Sequence, residues 1–162
     1  MIFQRTVSIF LFSFLLMGAE CYAEDPQAGA PVSVVTSQPS SGSVKWSDGW
    51  YWGAEGYDKA VEEYKQTNRP MVVYINVGWC PYCRKFEKEI LSSPLVLDFL
   101  KDKIKVSINP ETGSREKGIA IQYGIRGFPS VFLHPPQPGR AVRLSTGVTP
   151  EEFIELFGQA SQ

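Results

Sequence analysis

The run Met71–Val77, MVVYINV, is apolar almost throughout and rich in β-branched side chains. It does not alternate in polarity, so both faces of a strand built from it would be buried, as in a parallel sheet. A strand of that kind needs a covering layer on each side. The flanking pattern supplies those layers. Tyr57, Ala60, Val61 and Tyr64 recur at i, i+3, i+4 and i+7, which predicts an amphipathic helix that Asn68-Arg69-Pro70 stops. After the run, Phe86 and Ile90 mark one helix face. Ser92-Ser93-Pro94 breaks the pattern and caps a second helical piece, Leu95–Leu100.

Further along, Ile104–Ile108 reads as a strand, Ser114–Tyr123 as a helix and Ser130–His134 as a strand. The stretch PPQPG turns the chain, and Arg140–Ser145 alternates like a half-buried strand. Thr149-Pro150-Glu151-Glu152 is a capping box with proline at the first helical position, opening a last helix whose stripe is Phe153, Leu156 and Phe157. A leading helix followed by β-α-β-α-β-β-α implies an α/β three-layer sandwich, a mixed central sheet with helices on both faces. Ahead of it, Val44–Gly56 holds Trp46, Trp50, Tyr51 and Trp52 among turn residues. These aromatics are expected to pack the incoming chain onto the domain, with a binding patch as the alternative.

The 162 residues allow one ordinary domain, 44–162, with flanking segments, and a net charge of −1 points to neither nucleic acid nor an acidic membrane surface. Residues 1–23 have the grammar of a secretory signal. A basic start ends at Arg5, the 13-residue run Val7–Ala19 is mostly apolar, and Cys21 and Ala23 stand at −3 and −1 of a cut before Glu24. An uncleaved anchor is the alternative, and Glu20 argues against Cys21 as a lipidated residue. Residues 24–43, rich in Pro, Ala, Ser and Gly, read as a flexible linker.

Cleavage would leave two cysteines, Cys80 and Cys83, in VGWCPYCRKF, where the buried strand ends and a helix begins. Pro81 suits a first helical turn, whose N–H would lack a partner. A thiolate there faces unpaired N–H groups and the positive end of the helix dipole, which lowers its pKa below the free value of about 8.5. Arg84 and Lys85 add positive charge nearby. The i, i+3 spacing lets the second sulfur resolve a mixed disulfide. A closed zinc site would need more ligands than two Cys and His134 provide. A haem attachment site would place a histidine after Cys83, where Arg84 stands. The pair therefore reads as a redox centre with neither cofactor nor metal. A dithiol holding Cu(I), or a docking module without catalysis, remains as the other class of reading. His134, at the strand end before Pro135-Pro136, reads as a turn residue and not a ligand.

The combination resembles the thioredoxin superfamily over roughly Tyr57–Gly158. Trp-Cys-Pro-Tyr-Cys follows a strand, YGIRGFPSVFL (Tyr123–Leu133) is similar to the segment that carries the family's cis-proline, and Pro129 stands 49 residues beyond Cys80. STGVTP, with Gly147 before the final helix, also fits. The resemblance implies an exposed attacking Cys80, a shielded resolving Cys83 and a cis Pro129 packed against them. It also implies that Trp79, Pro81, Tyr82, Phe128 and Pro129 meet the substrate, with Phe128 offering backbone groups to an extended chain.

One departure is Tyr74, at the position of thioredoxin's buried proton-transferring carboxylate. CRKFEKEILSSP is most similar to the periplasmic domain of the transmembrane disulfide reductase, and Glu87 matches a carboxylate near the active site there, so Glu87 is the candidate for proton transfer. The Pro81-Tyr82 dipeptide is that of glutaredoxins, but no Gly-Gly-Asp follows Ser130–His134, and glutathione dependence is not expected. The resemblance implies a periplasmic thiol–disulfide oxidoreductase, a monomer acting more as reductant than as isomerase or oxidase. Its partners would be disulfide-bearing protein substrates and a membrane or periplasmic thiol–disulfide electron donor.

Overall fold

A computed structural model describes residues 44–136 and 139–161. The expected signal segment 1–23, the linker 24–43 and part of the PPQPG turn lie outside them. The described elements are β1 (Tyr51–Trp52), α1 (Gly53–Thr67), β2 (Met71–Ile75), α2 (Pro81–Phe86) running into a π-helical segment (Glu87–Leu91), α3 (Pro94–Leu100), β3 (Ile104–Ile108), α4 (Ser114–Gln122), β4 (Ser130–His134), β5 (Val142–Leu144) and α5 (Pro150–Ala160).

The sheet order is β1-β3-β2-β4-β5. β1 and β2 both run parallel to β3, whereas β4 is antiparallel to β2 and β5 to β4. All five residues of β2 are buried, as the unbroken apolar run requires at the centre of a covered sheet. Successive side chains of β2 point to opposite faces. Val72 and Tyr74 join Phe86, Ile90, Leu91, Val96, Leu100, Phe153 and Phe157 beneath the π-helical segment, α3 and α5. Met71, Val73 and Ile75 join Ala54, Ala60, Ile119 and Ala120 beneath α1 and α4. The expected α/β sandwich with a mixed sheet is what forms.

Three local features differ from the reading of the sequence. The Trp-rich segment contributes a two-residue strand, because pairing of Tyr51 with Val106 and Trp52 with Ser107 extends the sheet edge. Trp46 and Trp50 pack edge-on to Tyr74, at 6.0 and 6.2 Å between ring centroids, while Trp52 stays half exposed. Helix α1 begins at Gly53, earlier than the apolar stripe suggests, and has no side-chain cap of its own. Glu116 of α4 accepts from the Ala54 N–H at 2.9 Å and so caps α1 from 62 residues away. Third, Ser92 N–H reaches the Glu87 carbonyl at 2.9 Å, five residues back, so the helix widens to a π-turn where Ser92-Ser93-Pro94 ends it.

The capping box forms as expected. Thr149 Oγ1 accepts from Glu152 N–H at 3.2 Å, and Glu152 Oε2 accepts from Thr149 N–H at 2.8 Å. Thr149→Ala removes one of these bonds and should cost about 1 kcal/mol, read as a lower urea midpoint at unchanged slope. An unchanged midpoint would show that α5 is held by Phe153 and Phe157 alone.

Candidate active site

The site forms where β2 ends. Beyond Ile75 the chain turns through Val77–Trp79 and enters α2 with Cys80 as the N-cap. Pro81 takes the first helical position and contributes no unpaired N–H. Cys80 Sγ accepts the Cys83 backbone N–H at 3.0 Å, so this sulfur serves as the capping acceptor of the helix. Cys80 and Cys83 are joined as a disulfide with their Cα atoms 5.3 Å apart.

Both cysteines are enclosed, Cys80 at 3% and Cys83 at 1% exposure, with Val77 and Phe128 around them. The expectation of an exposed Cys80 is therefore not met in this oxidised state. With both sulfurs in one bridge inside the first turn, exposure does not separate them. What separates them is the capping position, which belongs to Cys80 alone.

Aromatic side chains frame the bridge. Trp79 and Tyr82 stand out at 63% and 73% exposure. The Trp79 indole N–H donates to both carboxylate oxygens of Glu111, at 2.9 and 3.2 Å, and its ring meets Phe128 edge-on at 6.3 Å. Glu111 was not legible as a site residue, because its loop carries no pattern that ties it to residue 79. The Phe128–Pro129 peptide is cis. Tyr82, Phe128 and Pro129 line a groove of about 520 Å³ together with Lys85 and Gly147. The structure thus packs Phe128 on the cysteines, sets Trp79 edge-on to it and brings Tyr82 and Pro129 into one groove with it, with Pro81 exposed at the start of α2.

The two cations expected to assist Cys80 are otherwise engaged. Arg84 donates to the Gly78 carbonyl at 2.9 Å and so braces the loop before the cysteines. Lys85 faces Glu89 at 3.8 Å on the exposed side of the helix.

Glu87 lies one turn beyond Cys83 and is half-buried. Its Oε1 accepts from the Tyr74 hydroxyl at 2.9 Å. Tyr74 is fully buried, and burial first, then the Glu87 charge and their hydrogen bond, push its phenol far above its ordinary pKa. The phenol is a fixed donor, and in this pair the carboxylate is the group with proton-accepting capacity. Tyr74 therefore occupies the place of the expected carboxylate while holding a different carboxylate from behind. His134 stands at the end of β4, the strand end expected for it, but is half-buried there with Nε2 2.6 Å from the Tyr123 hydroxyl and is not part of the turn that follows. Among the described residues no three His, Cys, Asp or Glu side chains cluster in a manner that could hold a metal, and no helix is long and apolar enough to cross a membrane.

A family model described as a thioredoxin-like domain matches residues 57–161. No curated protein matches the chain. Among solved structures, a thioredoxin from Thermus thermophilus is 25% identical, covering 72% of this chain and 86% of its own, with a TM-score of 0.58. DsbH oxidoreductase is similar in fold at 19% identity, covering 86% of this chain and 94% of its own, with a TM-score of 0.59. The oxidised C-terminal domain of Neisseria meningitidis DsbD is similar in fold at 21% identity, covering 66% and 93%, with a TM-score of 0.53.

Proposed function

The chain belongs to the thioredoxin-like domain family and is a thiol–disulfide oxidoreductase by its Cys80–Cys83 pair, and from that premise we propose that it reduces disulfides of exported proteins in the periplasm. The observation that carries the reading is the capping role of Cys80, whose sulfur accepts a backbone N–H at a helix start. The same N–H and dipole favour a thiolate there in the reduced state.

The Cys80 thiolate attacks one sulfur of a substrate disulfide, forming a mixed disulfide and releasing the other substrate sulfur as a thiolate. The Cys83 thiol then loses its proton and attacks Cys80. The second substrate thiol departs, and the Cys80–Cys83 bond closes. Two electrons pass to the substrate, and a thiol–disulfide donor returns them. Glu87 is the proton acceptor for Cys83, one helical turn away and held by Tyr74. Trp79, Pro81, Tyr82, Phe128 and Pro129 form the docking surface, in which a substrate strand lies along Phe128 and Pro129 and places a side chain in the groove beside Tyr82. Export is supported by the signal-like residues 1–23, and the reducing direction by the likeness around Glu87. The protein acts as a monomer, without cofactor, metal or nucleic acid.

Insulin reduction by dithiothreitol should accelerate in the presence of the protein, and metal analysis of the same sample should find no stoichiometric metal. Copper at one equivalent with no acceleration would assign the dithiol to metal binding. Thiolate absorbance of the reduced protein should titrate with a pKa clearly below about 8.5 for one thiol. The pair's potential should lie nearer the thioredoxin value of about −270 mV than the about −120 mV of strong oxidants. A value at the oxidising end would reverse the proposed direction.

A further inference from the structure

A second cleft, of about 510 Å³, lies away from the disulfide between α1, α4, β4 and β5. It shares no lining residue with the groove beside Pro129. Its size falls within the range of small-molecule sites. Half-buried Tyr123 contributes ring surface, with Tyr57 edge-on to it at 6.2 Å and the buried Phe132 ring behind it, centroids 4.8 Å apart. Arg140 and Arg143 also line it, and none of its lining residues is acidic.

Among the described residues these two arginines, like Arg126 and unlike Arg69, Arg84 and Arg115, have no partner that uses up the guanidinium. Arg69 and Arg115 are paired with Glu63 and Asp58, and Arg84 is spent on the Gly78 carbonyl. Among the described residues, no carboxylate pairs with Arg140 or Arg143. Register explains why Arg143 is there: it sits directly across from Phe132 in the β4–β5 ladder, so its side chain shares the face of that ring. One of its N–H groups donates to Ser130 Oγ at 3.1 Å, which fixes the guanidinium and leaves other donors of its fork for a ligand.

A polar chain enters the cleft from below. Tyr57 and Tyr123 hydroxyls are 3.0 Å apart, and Tyr123 is 2.6 Å from His134 Nε2. If His134 donates through Nε2, Tyr123 donates to Tyr57, and the Tyr57 hydrogen is free to meet an acceptor. Burial keeps His134 below its ordinary pKa, so the imidazole is neutral and either tautomer is accessible.

We propose that this cleft is a binding site for a small aromatic carboxylate, whose ring lies against Tyr123 and whose carboxylate is held by Arg140 and Arg143. Guanidinium and carboxylate match as planar, two-point partners, and a flat apolar body suits a ring-lined floor. The proposal is independent of the redox reading, because no residue of the disulfide site takes part.

The chain contains one histidine, so His134 is an unambiguous reporter. Benzoate, with benzamide as its uncharged counterpart, should be titrated into the full chain with the disulfide intact, following imidazole signals by NMR and heats by calorimetry. Benzoate should bind saturably and shift the His134 signals, and benzamide should bind about tenfold or more weakly, in keeping with loss of a charge-assisted pair. Arg140→Gln and Arg143→Gln should each weaken benzoate several-fold, and the double variant should abolish the shift. Retained circular dichroism and insulin reduction in Arg140→Gln would establish that the loss is not unfolding. Equal binding of benzamide and benzoate, no saturable shift with benzoate, or unchanged benzoate affinity in the folded Arg140→Gln variant would overturn the proposal.

Discussion

Cys83→Ser is expected to leave the protein covalently attached to its substrates. The substitution removes the only other thiol among the described residues, the one proposed to break a mixed disulfide at Cys80. It leaves intact what activates Cys80, since the donor at 3.0 Å from its sulfur is the backbone N–H of residue 83 and not the side chain. Attack continues while release stops, so adducts accumulate. Expressed in the export compartment, Cys83→Ser should give high-mass bands on non-reducing gels that collapse with reductant, and insulin reduction should fall to the rate of dithiothreitol alone. Cys80→Ser should be equally inactive but yield few adducts. The remaining thiol, Cys83, does not hold the capping position that favours a thiolate. Equal trapping by both variants would show that the assignment of attacking and resolving roles is wrong. The trapped proteins would identify the substrates and the electron donor.

Tyr74→Ala should be among the most destabilising single substitutions in the domain, costing roughly 3–5 kcal/mol. The ring is fully buried at the centre of the sheet and is met by Trp46, Trp50 and Phe86, the last at 5.7 Å between centroids. Its removal opens a cavity and leaves Glu87 without its phenol donor. Tyr74→Phe separates the two effects. It keeps the packing and loses only the hydrogen bond at 2.9 Å, for about 1–2 kcal/mol given that Glu87 is half-exposed. Urea unfolding of the three proteins checks the ratio. If Tyr74→Phe cost as much as Tyr74→Ala, the hydrogen bond and not the ring would be the dominant contribution. Tyr74→Phe should also slow the closing of the Cys80–Cys83 bond more than the first attack, because Glu87 serves Cys83 in the proposed reaction. An equal slowing of both steps would remove Glu87 from that role.

Much of the scaffold was legible in the sequence because its signals are local. The unbroken apolar run at Met71–Ile75 can satisfy both faces only at the centre of a covered sheet. Pro81 beside Cys80 marks the start of α2, and Thr149 with Glu152 forms the cap of α5 within a single turn of chain. The cysteine pair could be placed at the strand–helix junction for the same reason: every partner that defines it lies within a few residues.

What only the tertiary structure decided depends on partners distant in the chain. A strand of two residues, Tyr51–Trp52, has no periodicity to read and exists because β3 offers an edge. Glu111 holds Trp79 from 32 residues away, and Glu116 caps α1 across 62. Tyr74 was visible as a missing carboxylate, but its hold on Glu87, 13 residues on, appears only once the π-helical segment packs against β2. His134 could be placed at a strand end, but its contact with Tyr123, 11 residues back, exists only in the folded chain. Local chemistry is written in adjacent residues, whereas contacts such as these appear only when folding brings distant segments to within a few ångströms.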